Sequence, residues 1–360
     1  MRVQDARIKV ALIGCGAVAR LYYMPALRVL EAAGLVEVVA LLDPEASHAA
    51  LLREAFPQAR TLRQLSELPR GAFDLAIVAS PHSLHAMQTI HLLEAGASVL
   101  CEKPMATLAE DARAMMRAAA VGRGLLAIGL VRRFFPATRM IRHVLEARAL
   151  GEITSFEFSE GSATFDWPAA SRDYFSKREA QGGVLMDIGA HALDLLQWWL
   201  GKSEIVDYAD DAMGGIEANC LIRCRLDCGA TGALRFSRDC ALANRYTVHG
   251  ARGWLSWQAG QVDRFDLGFA DSSQVIQAGA RNQVASNFEQ SFLSQLRNVI
   301  AALRGTEELL VPAAEGIAGV ELIENCYRQR SLMALPWLDD REFARGRELN
   351  GGKSAGAADR

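Results

Sequence analysis

The sequence predicts an α/β protein of two domains: an N-terminal doubly wound domain on a parallel sheet, then an α+β domain with an open, mainly antiparallel sheet. Three observations carry this. Over the first 130 residues, short runs of Val, Ile, Leu and Ala alternate with helically spaced segments, the pattern of strands buried on both faces by crossover helices. From Asn219 the pattern becomes strand–turn–strand, with Asn219–Asp227 running into Thr231–Ser237 and Arg245–His249 into Trp254–Gln258, as in sequential hairpins. A length of 360 residues also exceeds what one ordinary core accommodates.

Taken in order, Ile8–Ile13 is an apolar strand that ends in glycines, and Val18–Ala33 has helical spacing. Val36–Leu42, Asp74–Ala79, Ser98–Cys101 and Leu125–Leu130 read as further strands, with helical stretches at Glu45–Phe56, Ser83–Glu94 and Leu108–Val121. The first domain is therefore expected to span 1–130 and the second 131–340. The second opens on a basic, aromatic stretch and a helix ending at Gly151, followed by a strand at Glu152–Glu160. An irregular segment rich in Trp, Pro and Ser precedes a strong helix over Leu185–Leu200. Two more helical patterns, Asn287–Leu303 and Ala313–Ser331, close this domain, and the polar tail 341–360 is expected to be disordered.

Composition narrows the function. A formal net charge of -3 gives no electrostatic reason to expect nucleic acid. Apolar runs stay short of the roughly 20 residues that cross a bilayer, and the N-terminal residues lack a secretory h-region. The seven cysteines are odd in number and scattered, which fits a reducing cytoplasm better than a disulfide framework. Cys220, Cys224 and Cys228 fall on alternate positions of one strand, with Arg223, Arg225 and Asp227 between them. They are read as core thiols rather than zinc ligands, and no metal site is expected.

The run Gly14-Cys-Gly16-Ala17-Val18-Ala19, between strand and helix, is a GxGxxA dinucleotide fingerprint and makes the first domain a Rossmann candidate. Gly14 permits a tight turn, Gly16 lets backbone approach a pyrophosphate, and Ala19 lets helix and sheet pack closely, while the helix N-terminus favours phosphate. Asp43 follows the second strand, where a carboxylate accepts hydrogen bonds from ribose hydroxyls and repels a 2′-phosphate; NAD is expected ahead of NADP.

Two further motifs point to chemistry. Glu102-Lys103-Pro104 ends an apolar strand, on the side of an α/β sheet where ligands bind. Asp187, His191 and Asp194 are spaced four and three apart on an otherwise apolar helix, so they share a face. Histidine there suits proton transfer near neutral pH, although a structural pair with either aspartate would give the same spacing.

GxGxxA, the strand-end Asp43, Ala79-Ser80-Pro81 followed by His85, Glu-Lys-Pro and Asp-x-Gly-x-His-x-x-Asp occur in that order. This combination resembles the Gfo/Idh/MocA oxidoreductases over nearly the whole chain, up to about residue 338. The resemblance implies that Lys103 and His191 are catalytic and that Asp187 holds a substrate hydroxyl. It implies a dehydrogenase acting on a sugar, sugar derivative or cyclitol, with His191 as acid/base and Lys103 polarising the oxygen. Ser80, Pro81, His85, Glu102 and Lys103 would shape the cofactor cleft with Gly14, Gly16, Ala17, Val18 and Asp43. Arg133 and Trp167 are expected as substrate contacts with Lys103, Asp187 and His191; Trp167 and Tyr174 could stack on a sugar ring or equally plug a domain seam. Arg132, Arg133, Arg172 and Lys177 could grip a phosphate or carboxylate on the substrate, and the reading as solvated surface charges is favoured over it. The same fold also serves NAD-using glycosidases and a non-catalytic sugar sensor, and retention of Lys103, Asp187 and His191 speaks against the sensor. The family's habit implies a homodimer or homotetramer through the second domain's sheet.

Overall fold

The computed structural model describes residues 6–164, 181–279 and 287–351. Contacts divide the chain into two units, one built from 6–135 and 287–320, the other from 136–164, 181–279 and 321–351. The first unit is therefore not a single N-terminal stretch.

Its sheet contains β1 (Ile8–Ile13), β2 (Val36–Leu42), β3 (Arg60–Leu62), β4 (Leu75–Val78), β5 (Ser98–Glu102) and β6 (Leu126–Gly129). All pairings are parallel, in the order β3-β2-β1-β4-β5-β6. Alternate residues of β1 feed two cores: Val10 and Leu12 join one, Ala11 and Ile13 the other. Both faces are buried, which is why these strands read as continuous apolar runs. The first core takes α1 (Met24–Ala32), α2 (Ala46–Arg53) and α7 (Phe288–Leu303); the second takes α3 (His85–Glu94) and α4 (Ala109–Gly122). The α7 residues Phe292, Leu296, Val299 and Ile300 are buried with Ile8 and Leu27, so this helix belongs to the nucleotide-fold unit and not to the second domain. Its apolar stripe is complementary to α1, a fact that sequence order hides.

The second unit holds a nine-stranded sheet: β7 (Ile153–Gly161), β8 (Ser203–Asp210), β9 (Asn219–Leu226), β10 (Thr231–Ser237), β11 (Arg245–Gly250), β12 (Gly253–Gln258), β13 (Arg264–Phe269), β14 (Val275–Gly279) and β15 (Ser331–Leu332). The order is β14-β13-β12-β11-β7-β10-β9-β8-β15. The sheet is mixed, since β7–β10 and β8–β15 pair parallel and the rest antiparallel. One face packs on α5 (Pro136–Glu146) and α6 (Ala190–Leu200). There the Trp199 ring meets Phe158, Tyr246 and Trp257 edge-on, and its indole N–H donates to the Thr138 carbonyl at 3.0 Å. Tyr246, Trp257 and Phe265 thus point inward, while Trp254 is half-buried and Arg223, Arg225, Arg235 and Arg245 stand exposed.

Cys220 and Cys224 are buried on β9 as expected, but Cys228 lies past the strand end, in a turn, and is exposed. Period-two alternation stops where the turn begins. The expected disordered tail is also corrected: α9 (Asp340–Gly351) is helical, opening on Asp339, whose carboxylate accepts from the Arg341 and Glu342 N–H groups. Residues 352–360 lie outside the described residues. The unit boundary falls inside α8 (Ala313–Arg328). Among the described residues, no helix is long and apolar enough to cross a membrane.

Candidate active site

In the first unit, the turn after β1 is held by backbone and by one carboxylate. Gly14 adopts φ 89° and donates its N–H to the Leu42 carbonyl at 2.8 Å. A Cβ on it would lie 2.7 Å from the Ala79 and Ser80 backbone, so only glycine fits. Gly16 is different: nothing lies within 4 Å of where its Cβ would be. Its carbonyl accepts the Arg20 N–H at 3.0 Å, opening a helix whose first turn, Ala19–Tyr23, is π-wound before α1. Ala17 and Ala19 are buried, and Val18 is half-buried.

Asp43 is buried at the end of β2. Its Oδ2 accepts the Cys15 N–H at 2.8 Å, and its Oδ1 accepts the Glu45 N–H at 2.9 Å and lies 3.3 Å from His48 Nδ1. It therefore latches the glycine loop to the β2 end, a role that the motif alone did not reveal. Burial, aided by the Asp43 charge, pushes the Cys15 thiol up to about 12, so it stays protonated. Arg63 donates through Nε and Nη2 to the Pro44 carbonyl beside this latch.

Lys103 follows β5 and is half-buried; the Lys103–Pro104 peptide is cis. Its backbone N–H donates to Glu102 Oε2 at 3.1 Å. Glu102 is buried, and its Oε1 accepts from the Tyr23 hydroxyl at 2.6 Å, which in turn accepts from Gln295 Nε2 at 3.0 Å. Burial raises the Glu102 pKa, against the opposing pull of Tyr23 and Lys103. Gly129 on β6 leaves room for this carboxylate, since a Cβ there would come within 2.8 Å of Oε1. Tyr23 and Gln295 carried no signal in the sequence because they stand far from Glu102 along the chain. Nearby, His85 is fully buried, with Nδ1 2.8 Å from the Pro104 carbonyl and Nε2 2.9 Å from the Ser80 carbonyl. Ser80 donates to Gln88 Oε1 at 2.5 Å, and Pro81 precedes the turn into α3. Arg133 is buried at 2% exposure and pairs with Glu315 at 3.0 Å, which engages its charge inside this unit. Arg132 lies beside it in the short helical turn Val131–Phe134.

In the second unit, Asp187 sits in a π-wound turn, Leu185–Gly189, that runs into α6 carrying His191 and Asp194. Asp187 and His191 are half-buried, whereas Asp194 is buried. The widened turn is the kind of helical irregularity that recurs at functional sites. Arg238, just past β10, donates to Asp187 Oδ2 at 3.1 Å and to the Gly183 carbonyl at 3.2 Å. The start of this turn is fixed by buried Glu217, whose Oε1 accepts from the Gly183 and Leu185 N–H groups at 2.9 and 3.1 Å and from the Tyr327 hydroxyl at 2.8 Å. A Cβ on Gly183 would run into Glu217, which accounts for the second glycine of the Gly-Gly pair. Arg330 neutralises Glu217 at 3.3 Å and Asp210 at 2.6 Å. Neither Glu217, Arg238 nor Arg330 was marked by a motif. Trp167, Arg172, Tyr174 and Lys177 lie outside the described residues.

Two family descriptions match this chain: "Oxidoreductase family, NAD-binding Rossmann fold" over residues 8–129 and "Oxidoreductase family, C-terminal alpha/beta domain" over residues 142–332. The chain belongs to the Gfo/Idh/MocA oxidoreductase family. Among its relatives is the scyllo-inositol 2-dehydrogenase (NADP(+)) of Bacillus subtilis, 24% identical over 88% of this chain and 92% of that protein. Another is the dTDP-3,4-didehydro-2,6-dideoxy-alpha-D-glucose 3-reductase of Actinomadura kijaniata, 30% identical over 69% and 74%. The WlbA dehydrogenase of Bordetella pertussis, solved with NADH and UDP-GlcNAcA, shares the fold with a TM-score of 0.77 at 24% identity, over 91% of this chain and 96% of that one. The family supports a dehydrogenase-type oxidoreductase of the sugar and cyclitol class on an NAD(P)-binding Rossmann fold.

Proposed function

We propose that the protein is a dehydrogenase that interconverts a secondary hydroxyl and a ketone on a sugar, sugar derivative or cyclitol, using NAD in preference to NADP. The observation that carries this reading is Lys103 at the carboxyl end of β5, its backbone fixed by buried Glu102, in a sheet of dinucleotide-binding order. The glycine loop fits a dinucleotide, since Gly14 allows close packing on Ala79 and Gly16 leaves open space where phosphate oxygens would approach.

When bound, the nicotinamide supplies the site that takes or returns hydride. In the oxidising direction His191 accepts the hydroxyl proton, and in the reducing direction it returns it. The Lys103 ammonium stabilises negative charge as it grows on the reacting oxygen. Asp187, held by Arg238, accepts from a neighbouring hydroxyl and so orients the reacting carbon. Asp43 favours NAD by accepting from ribose hydroxyls and repelling a 2′-phosphate, and the names of relatives include both cofactors. We further read the second unit's sheet as the surface for a homodimer or homotetramer, to be checked by light scattering.

The test is to incubate the protein with NAD+ or NADP+ and a panel of sugars, sugar acids, nucleotide sugars and inositols, following nicotinamide absorbance beside His191→Ala. Reduction of NAD+ by one substrate class, absent in the variant, is the expected result. Tight dinucleotide binding without net reduction on any substrate would overturn the dehydrogenase in favour of a glycosidase or sensor.

A further inference from the structure

We propose that His85 is a positioning residue of α3 that sits between the Lys103 loop and the cofactor-side loop Ala79–Pro81 and holds the Lys103 backbone by donating to the Pro104 carbonyl; this rests on the reading of Lys103 given above. Both ring nitrogens of His85 face backbone carbonyls at hydrogen-bond distance, one on each loop: Pro104 at 2.8 Å and Ser80 at 2.9 Å. Carbonyls are acceptors only, and an uncharged imidazole carries a single N–H. The ring therefore donates to one loop at a time when neutral and to both when protonated. Burial pushes its pKa down, and the carbonyls and Lys103 act on it as well. The ring is fully buried, which suits a group that holds backbone in place.

The neighbouring contacts concentrate that hold on Lys103. Before Lys103, the chain is fixed by Glu102, which takes the Lys103 N–H and the Tyr23 hydroxyl. After it, the residue that fixes the backbone is His85, through the Pro104 carbonyl. Across the His85 ring lies Ser80, whose hydroxyl donates to Gln88 one turn farther along α3. Side chains from α3 thus hold both loops, and the stem of Lys103 projects from a backbone pinned on either side.

The experiment compares wild type with His85→Phe, which fills the space without an N–H, and His85→Gln, which restores a donor. Each full-length protein is treated with an amine-reactive ester, and the modification rates of Lys9, Lys103 and Lys202 are followed by peptide mass spectrometry. His85→Phe is expected to raise the Lys103 rate about fivefold, the shift that one net hydrogen bond produces. Lys9 and Lys202 should not change, and His85→Gln should bring Lys103 back toward the wild-type rate. Turnover should show the same order in kcat with a smaller change in KM. Equal Lys103 rates in all three proteins would overturn the proposal. Should His85→Phe not fold, wild type and His85→Gln still decide it: the bond to Pro104 requires a slowly exchanging imidazole N–H from His85 in the wild-type NMR spectrum, and its absence refutes it. Lys103→Ala separates the two ideas, because full turnover in that variant would sink the role given to Lys103 while leaving the labelling result to judge His85.

Discussion

Replacing each fingerprint glycine by alanine separates the folding role of the loop from its binding role. At Gly14, the left-handed φ of 89° costs a non-glycine residue about 1–3 kcal/mol. The new methyl would also press on Ala79 and Ser80 backbone at 2.7 Å, and such overpacking adds a further 1–3 kcal/mol or so. Gly14→Ala should therefore lose roughly 2–6 kcal/mol, a large part of a domain's usual margin. At Gly16 neither cause operates, because the φ is not left-handed and nothing lies within 4 Å of the added carbon. Stability should then change by no more than about 0.5 kcal/mol, as for substitutions that disturb no packing. Dinucleotide affinity should nevertheless fall by at least about tenfold, or ~1.4 kcal/mol, because the methyl occupies the approach of the phosphates. Urea unfolding followed by circular dichroism gives the first quantity, and fluorescence titration with NAD+ the second. Equal destabilisation by the two variants, or unaltered NAD+ binding by Gly16→Ala, would refute the reasoning.

Other expectations follow from the buried charges and thiols. Because burial raises the Glu102 pKa above its unfolded value, its contribution to stability is complete below the ordinary carboxyl pKa and is lost as pH rises through the folded value. Glu102→Gln should thus gain on wild type in urea midpoint as pH rises from 4 toward 8, and parallel curves would contradict this. Arg330→Met would strand Asp210 and Glu217 and should cost about 3–5 kcal/mol, whereas breaking the exposed Arg223–Asp207 pair should cost less than about 1 kcal/mol, both read by chemical unfolding. Of the seven cysteines, Cys228 and Cys240 are exposed, so a thiol reagent at pH 8 should titrate two quickly and the remainder only on unfolding. A rapid third thiol would show that a thiol held protonated by burial, such as Cys15 or Cys101, is open to reagent.

The strands of the first sheet were legible because burial on both faces leaves unbroken apolar runs, and Ile8–Ile13 and Val36–Leu42 match the sequence reading residue for residue. β3 escaped notice: three residues, two of them exposed, offer no periodicity. β8, β13 and β14 were missed although turn residues such as Gly201 and Gly260 flank them, because β8 and β13 alternate only in part and β14 is almost wholly exposed. The site residues found from sequence are those that sit in contiguous motifs. Glu217, Arg238, Tyr327 and Arg330 act on the Gly183–Asp187 turn from strands and helices brought near only by the sheet, and local patterns contain no trace of such contacts. The π-wound turn at Leu185–Gly189 was equally invisible, since helical spacing is the same at first sight whether one turn is widened or not.

The carboxylate of Asp43 answers to two masters at once. The residue that would discriminate between cofactors also fastens the middle of the glycine loop through the Cys15 N–H. A lineage drifting toward NADP, or an engineer aiming there, could not simply exchange this side chain for a neutral or basic one without loosening the glycine turn proposed to receive the pyrophosphate. The workable route keeps Asp43 as a latch and introduces positive charge next door, at Pro44 or His48. On the proposed reading of Asp43, cofactor preference is thereby tethered to the mechanics of the glycine loop.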